Sequence, residues 1–384
     1  MKVLMIAHNA TVEGAGIAFK NVVEALSESG IYIVAVVPGY HGVYELLNDI
    51  KGVKRYVIPE IKNEAYPSLN GFIDVLKYLP KIFRHFLFRS IFRKKLYKIV
   101  LLENPDIIHS NTGTIRIGAE ISQFFNIPHV WHIRECQKLG CGLRPYGGEK
   151  KVEKLFHEYN NHCIAITKSV FSYYNLDRIK DRVIYDGVFS DLHYDFISDL
   201  PKEKIILYVG LLSKEKGITM LISAFEKIYE LIPSYQLWIV GIDAMGINNI
   251  IKKNKSYKQI KYLGFRKDVY SLMSRAKTVV VTSNYEGFGF ITAEAMFNHA
   301  LVIGRDKAGT KEQMDNAAIF SGFEVALRFK TVDELSDKIL EVAYMKDTDY
   351  SDRTKKAFEV VTKLYTVKRN AQEILDFYNS ILKK

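Results

Sequence analysis

Short β-branched runs alternate with helix-length amphipathic stretches along almost the whole of this chain, and few architectures accommodate that pattern. Lys2–Ala7 reads as a buried strand, Ile17–Ser29 as a helix, Tyr32–Val37 as a second strand and Val53–Ile58 as a third. Ile107–Ser110, His129–His132, Cys163–Ile166 and Val183–Tyr185 continue the series, with helical stretches between most of them. Apolar strands separated by helices are the mark of a parallel, doubly wound sheet. A polar stretch from Gly187 to Lys204, containing Pro201 and lacking helical periodicity, reads as a linker. The pattern then restarts with strand Ile205–Val209, helix Gly217–Ile232 and strand Gln236–Val240. Strands at Ile260–Leu263, Thr278–Thr282 and Ala300–Ile303 follow. The expected fold class is α/β, with two Rossmann-like domains facing a cleft and ligands at the carboxyl ends of the strands. Val367, Ala371, Ile374, Leu375, Tyr378, Ile381 and Leu382 form a single apolar stripe on a last helix, which needs a surface to cover.

At 384 residues the chain suits two cores, since single cores rarely grow past about 250 residues. Its 48% hydrophobic and 25% charged residues exclude extensive disorder, collagen and small disulfide scaffolds. Lys and Arg exceed Asp and Glu by 54 to 43, a formal charge of +11 that favours phosphates, nucleic acid or an acidic membrane as company. Cys136, Cys141 and Cys163 are too few for a disulfide framework and read as reduced thiols. Cys136 and Cys141 lie near His132 and His162, but at no standard zinc spacing, so no metal site is expected. The apolar start Met1–Ala7 is too short for a signal peptide, and no run of about 18 uncharged apolar residues suggests a spanning helix. The expected location is cytoplasmic, with attachment to the inner face of a membrane as an option.

The most informative segment is Thr282-Ser283-Asn284-Tyr285-Glu286-Gly287-Phe288-Gly289-Phe290-Ile291-Thr292-Ala293-Glu294. A buried strand ends at Thr282, a Gly-rich turn follows, and a helix begins near Phe290. Backbone N–H groups and a helix N-terminus together suit a phosphate. One carboxylate could meet a sugar while the other accepts hydrogen bonds from ribose hydroxyls. Taken alone, the turn reads better with Glu286 as a solvated turn residue and Glu294 as a helix-dipole partner.

The segment is not alone. The E-G-F-G-F-I-T-A-E phrase closely resembles the Glu-x7-Glu motif of the retaining glycosyltransferases of family 4 (glycosyl transferases group 1). Tyr208-Val209-Gly210-Leu211-Leu212-Ser213-Lys214-Glu215-Lys216-Gly217 looks like that family's strand, phosphate loop and helix start. Ala308-Gly309-Thr310-Lys311-Glu312 resembles its Gly-Gly-x-x-Glu element, and Tyr185-Asp186-Gly187-Val188 the Asn-Gly-Val that ends its first domain. The resemblance runs over nearly the whole chain and is strongest from Tyr185 to Glu312. It implies a GT-B fold with domains at 1–188 and 189–365, and a helix at 366–384 packing back on the first domain. It also implies Lys216 stabilising the departing nucleotide's charge, an electrostatic role. Donor contacts are then expected from Gly210, Arg266, the Gly287, Phe288, Gly289, Phe290 and Ile291 backbone, and Glu294 on the ribose. Family members usually carry Arg where this chain has Leu211, so Lys214 or Arg266 substitutes or donor binding is weaker.

In the first domain Gly14-Ala15-Gly16 follows the first strand after a loop. A dinucleotide fingerprint needs Gly where Phe19 stands, which demotes a dehydrogenase. The segment resembles the family's Gly-rich loop near the donor's sugar and phosphate. Trp131-His132-Ile133-Arg134-Glu135 is similar to the H-x-R-E of bacterial polysaccharide glycosyltransferases, with His132 binding the transferred sugar or aiding proton movement. From Lys77 to Lys98 eight Lys/Arg and no acid are interleaved with Phe83, Phe86, Phe88, Phe92 and Tyr97, which fits an interfacial segment on anionic lipid. Its apolar residues keep helical spacing to about Leu87 and wander beyond, and a solvated face of a core helix is the competing account. No nucleic-acid module is legible. Asp347-Thr348-Asp349 reads as a polar loop rather than a metal-binding Asp-x-Asp.

The expected function is retaining, metal-independent hexosyl transfer from a nucleotide sugar, UDP being the commonest base, to a glycan or lipid-linked acceptor in cell-surface polysaccharide assembly. His132, Lys216 and Glu286 are the expected catalytic residues, with Gly14, Ala15, Gly16 and Arg134 binding substrate and no separate cofactor. The competing readings are a sugar-nucleotide epimerase or phosphorylase of the same fold and a catalytically silent subunit. The last finds its footing in Leu211.

Overall fold

The β-branched runs pair side by side in the computed structural model, which describes residues 1–12, 14–67, 72–158, 160–190 and 201–383. The chain divides into one unit made of Met1–Gly187 and Val367–Lys384 and a second made of Val188–Thr366. In the first unit, β1 (Lys2–Ile6), β2 (Tyr32–Val37), β3 (Val53–Val57), β5 (Ile107–Ser110), β6 (His129–Ile133), β8 (Asn161–Ala165) and β9 (Arg182–Val183) form one sheet. Its order is β3-β2-β1-β5-β6-β8-β9, and every pair is parallel. Strand order reverses between β1 and β5, so the loops after these strands diverge and leave room for a ligand.

Both faces of this sheet are covered, which is why its strands are apolar throughout rather than alternating. On one face lie Phe19, Val22, Val23 and Leu26 of the helix Gly14–Glu28, together with Ala371, Ile374, Phe377, Tyr378 and Ile381 of the last helix, Val367–Leu382. On the other lie Phe92, Leu96, Ile99 and Val100 of a long helix, Phe72–Glu103. The exit and re-entry of the chain meet at a backbone crossing: a Cβ on Gly187 would lie 2.6 Å from Val367 Cα. Asn370 Nδ2 fastens the crossing by donating to Tyr185 O at 2.7 Å.

The second unit holds β10 (Glu203–Val209), β11 (Gln236–Val240), β12 (Ile260–Tyr262), β13 (Ala276–Val281), β14 (Leu301–Arg305) and β15 (Leu327–Phe329). They form one parallel sheet ordered β12-β11-β10-β13-β14-β15, with its reversal between β10 and β13. Leu221, Ile222 and Phe225 of the helix Ile218–Ile228 pack on it together with Leu335 and Ile339.

Several local expectations are corrected. Gly14-Ala15-Gly16 is the first turn of a helix rather than a loop. The strand expected over Val183–Tyr185 stops at Val183, because Tyr185 O is engaged by the last helix. Asp347 and Asp349 open the helix Asp347–Leu364 rather than sitting in a loop, where their charge complements the N-terminal dipole. The long helix does not fade at Leu87. In its second half a buried stripe takes over, with Phe92, Leu96, Ile99 and Val100 at i, i+4, i+7 and i+8. A short antiparallel pair, β4 (Ala65–Pro67) with β7 (Leu143–Pro145), and strand β15 are additions that three-residue runs could not announce. Most of the expected linker, 191–200, lies outside the described residues, and β10 already begins at Glu203. Among the described residues no helix is long and apolar enough to cross a membrane.

Ile374 is wholly buried in the first unit's core. Ile374→Ala is expected to cost about 2–5 kcal/mol, read from urea unfolding of the full chain. A loss below about 0.5 kcal/mol would mean that the last helix does not seal that core.

Candidate active site

At the reversal point of the second sheet, β10 and β13 end beside each other and their loops are laced together. Thr282 Oγ1 donates to Lys216 O at 2.8 Å, and Asn284 N donates to Glu215 O at 2.8 Å. The approach is so close that a Cβ on Gly217 would lie 2.4 Å from Thr282 O. Gly217 also takes φ 71°, a left-handed conformation that costs glycine least. This lacing brings Lys216 Nζ to 2.7 Å from Glu286 Oε1, which also accepts from Ser283 Oγ at 2.5 Å.

A third element closes the turn. Gly309, near the start of the helix Ala308–Ser321, donates its N–H to Glu286 O at 3.0 Å. A Cβ there would fall 2.6–2.9 Å from the carbonyl oxygens of Gly287, Phe288 and Glu286. Gln313 Nε2 donates to Phe288 O and Gly289 O at 2.5 and 2.9 Å. Gly289 then starts the helix Phe290–Phe297 at φ 89°. This helix and the one beginning at Ile218 lack a side-chain cap, whereas the start of the Ala308 helix already gives the Gly309 N–H to Glu286 O. The positive ends of the Phe290 and Ile218 helices are therefore available to an anion at this turn. Phe288 is buried, while Phe290 and Ile291 are half-buried on the first turn of their helix.

Glu294 lies one turn into the helix. Burial pushes its carboxyl up to about 7, and the Tyr270 hydroxyl, donating at 3.4 Å, works against that rise. Gly210 ends β10 at φ 154°, and a Cβ on Gly241 would lie 1.8 Å from its carbonyl oxygen, so the loops after β10 and β11 also need glycine to meet. Leu211 is exposed. Arg266 is held by Asp268 through bonds of 2.8 and 2.6 Å on the surface. The sequence reading missed Arg305: it ends β14 and its guanidinium donates to Asn284 Oδ1, within the Glu286 turn. Its position at a strand's carboxyl end was the available signal.

The first unit has its own polar cluster at the ends of β1, β5 and β6. Asn111 Nδ2 donates to Ala15 O at 3.1 Å, tying down the first turn of the helix Gly14–Glu28, and a Cβ on Gly16 would lie 2.2 Å from Thr11 O. Arg134 Nε donates to Asn111 Oδ1 at 3.0 Å, while its Nη1 pairs with buried Asp186. Arg134 Nη2 reaches His132 Nδ1 at 3.4 Å; since arginine only donates, the imidazole proton belongs on Nε2, 3.7 Å from Asp186 Oδ1. His132 is fully enclosed rather than an open strand-end histidine, and burial holds it well below the usual range, helped by Arg134. Burial and Arg134 lower His8 to about 4, while burial pushes Glu135 up to about 8. Asp186 is the partner the sequence reading quoted without a role. Cys136 and Cys163 are buried thiols, the Cys141 side chain lies outside the described residues, and no metal-ligand cluster is formed among those described.

Residues 193–359 match the family described as glycosyl transferases group 1. The chain is 26% identical over 345 residues to the uncharacterized glycosyltransferase MJ1607 of Methanocaldococcus jannaschii, covering 81% of this chain and 82% of that relative. It is 28% identical over 192 residues to the trehalose synthase of Thermococcus litoralis, covering 47% of this chain and 45% of that enzyme. Anabaena Alr3699/HepE in complex with UDP-glucose superposes at a TM-score of 0.72 over 99% of this chain and 100% of its own, at 18% identity. At that identity the likeness shows the fold, which is GT-B. The matches support a glycosyltransferase.

The raised Glu294 gives a pH signature. The folded state keeps the proton up to about 7, whereas the ordinary value is 4.5. The folded chain therefore binds the extra proton between these values. The stability this contributes is fully present below 4.5 and is lost as pH rises through about 7. Glu294→Gln is expected to flatten that slope, read as the wild-type minus variant difference in urea midpoint across the window. An unchanged slope would contradict the burial of this carboxyl.

Proposed function

We propose that the chain is a retaining glycosyltransferase whose Val188–Thr366 unit holds a nucleotide sugar. The observation carrying this reading is the Lys216–Glu286 pair at 2.7 Å, in a turn flanked by the uncapped starts of the helices at Ile218 and Phe290. An ammonium and helix N-termini suit a diphosphate. On its entry the diphosphate competes with Glu286 for Lys216, and the released carboxylate turns to the sugar. Glu294 accepts the ribose hydroxyls, and in doing so is favoured in its ionised form. Arg305 is better placed than Arg266 to supply the charge missing at Leu211, because Arg266 is already neutralised by Asp268.

In the transfer step the bond between the anomeric carbon and the phosphate oxygen breaks and its electron pair leaves with the nucleotide. Lys216 and the helix ends stabilise that charge without a metal ion. In the same-face route the acceptor hydroxyl attacks as its proton passes to the leaving phosphate. The competing double displacement needs a nucleophile on the far face of the sugar. UDP is the favoured donor nucleotide, supported by the UDP-glucose complex of the similarly folded HepE. Gly14, Ala15, Gly16, Arg134 and neutral His132 are assigned to the acceptor side. The acceptor is a glycan or lipid-linked glycan, and the H-x-R-E phrase favours cytoplasmic assembly of surface polysaccharide.

Thermal shifts with UDP-, GDP-, ADP- and CMP-sugars test the donor assignment. One nucleotide class at about 100 times its Kd is expected to stabilise the protein by about 2.7 kcal/mol, and Glu294→Ala to abolish the effect. Lys216→Ala is expected to lower turnover by about 10²–10³-fold. Absence of a shift with every nucleotide sinks the donor reading. Donor binding without turnover on any acceptor favours a silent subunit, and donor conversion without acceptor an epimerase.

A further inference from the structure

The first half of the long helix Phe72–Glu103 is inside out. Its inward side carries His85, which is buried and stacks on Tyr146 at 4.4 Å between ring centres. Arg89 also points inward, pairing with buried Glu64 at 3.1 Å and with Glu120. Its outward side carries Leu76, Leu79, Phe83, Phe86 and Leu87, all exposed, with Phe83 at 75%. These fall at i, i+3, i+7, i+10 and i+11, one continuous stripe on a helix. Exposed leucines scattered singly need no explanation, but a contiguous apolar stripe over a polar inner face does. From Phe92 onward the same helix reverts to ordinary packing, with its apolar side in the core.

Charge says what the stripe meets. Arg84 borders it beside Leu87, and Arg93, Lys94 and Lys98 continue along the same side of the helix, whereas Lys81, also exposed, lies one turn before His85 on the other side. Among the described residues none of these five pairs with a carboxylate, unlike Lys95, which pairs with Glu60. The Lys77 side chain lies outside the described residues. The stripe also leads into a cationic recess. Phe86 contacts Tyr146 at 6.3 Å, and Tyr146 contacts Tyr66 at 5.4 Å between ring centres. Tyr66 lines a cavity of about 290 Å³ together with Lys138 and Arg144, where Glu149 is the one carboxylate. An apolar ridge, basic flanks and a basic recess joined by tyrosines match the layers of an anionic bilayer surface: acyl boundary, phosphate and water.

We propose that this face of the Met1–Gly187 unit docks on an anionic phospholipid surface. Leu79, Phe83 and Phe86 enter the headgroup boundary, Arg84 and Lys94 face lipid phosphates, and Lys138 and Arg144 receive a phosphate in the recess. The inference goes beyond the donor reading and does not rest on it, since every residue involved lies outside the Val188–Thr366 unit.

The experiment is flotation of the full chain with phosphatidylglycerol-rich vesicles and with pure phosphatidylcholine vesicles. The protein is expected to float with the former only, and less so as salt rises. Arg84→Glu with Lys94→Glu should weaken binding by more than about fivefold per site, and Leu79→Glu with Phe83→Glu should abolish it. These positions are exposed, and circular dichroism together with the UDP-sugar thermal shift checks that each variant remains folded. Sedimentation velocity supplies the second readout. Failure to float with anionic vesicles, or flotation indifferent to both variants, overturns the proposal. So does a concentration-dependent dimer that only the Leu79→Glu, Phe83→Glu variant loses, because the stripe would then be covered by a second copy.

Discussion

The second unit depends on backbone touching backbone where its strands end. Thr282 O lies where a side chain on Gly217 would be, and the carbonyls of the Glu286 turn lie where one on Gly309 would be. Without Cβ atoms the loops after β10 and β13 and the helix starting at Ala308 come within hydrogen-bond range. Lys216, Glu286 and Asn284 then have one arrangement open to them. The electrostatics follow from that contact. An ammonium, a carboxylate and helix N-termini are fixed in advance, so little reorganisation is left for the moment when phosphate charge develops.

The first unit solves a different problem, burying charge. Arg134 and Asp186 are both buried, and such a pair is tolerable only when its remaining donors and acceptors are met. Asn111 takes the Nε donor, His132 lies beside Nη2, and Asp186 takes Nη1. Burial, helped by Arg134, keeps the surrounding histidines neutral, while burial raises Glu135 against the pull of Arg134. Removing either ion leaves the other unpaired among neutral groups, so the cluster stands or falls together.

Much of this was legible because periodicity and spacing are local. The parallel strands announce themselves as apolar runs, and the eight-residue interval from Glu286 to Glu294 can be read directly. What escaped notice is what only the fold brings together. Arg305 lies twenty-one residues from Asn284 along the chain and becomes its neighbour through adjacent parallel strands. Asp186 meets Arg134 across fifty-two residues. β4, β7 and β15 are too short to show alternation, and Asp347 looked like a loop because a polar helix start and a polar loop share their composition. Beyond Leu87 the stripe wanders in a helical projection because the long helix changes what it packs against, rather than because it ends.

The crossing at Gly187 and Val367 makes the second unit an insertion within the first. On the ribosome this inverts the usual order of assembly. Residues 1–187 emerge early, yet the face of their sheet that receives Ala371, Ile374 and Tyr378 waits until the helix Val367–Leu382 has been made. At about 5–20 residues per second, that wait is roughly 10–40 s. The inserted unit, complete by Thr366, is free to fold first. The half-built sheet has to be shielded in the meantime, so slow translation of the stretch in between lengthens its exposure to aggregation rather than helping it fold.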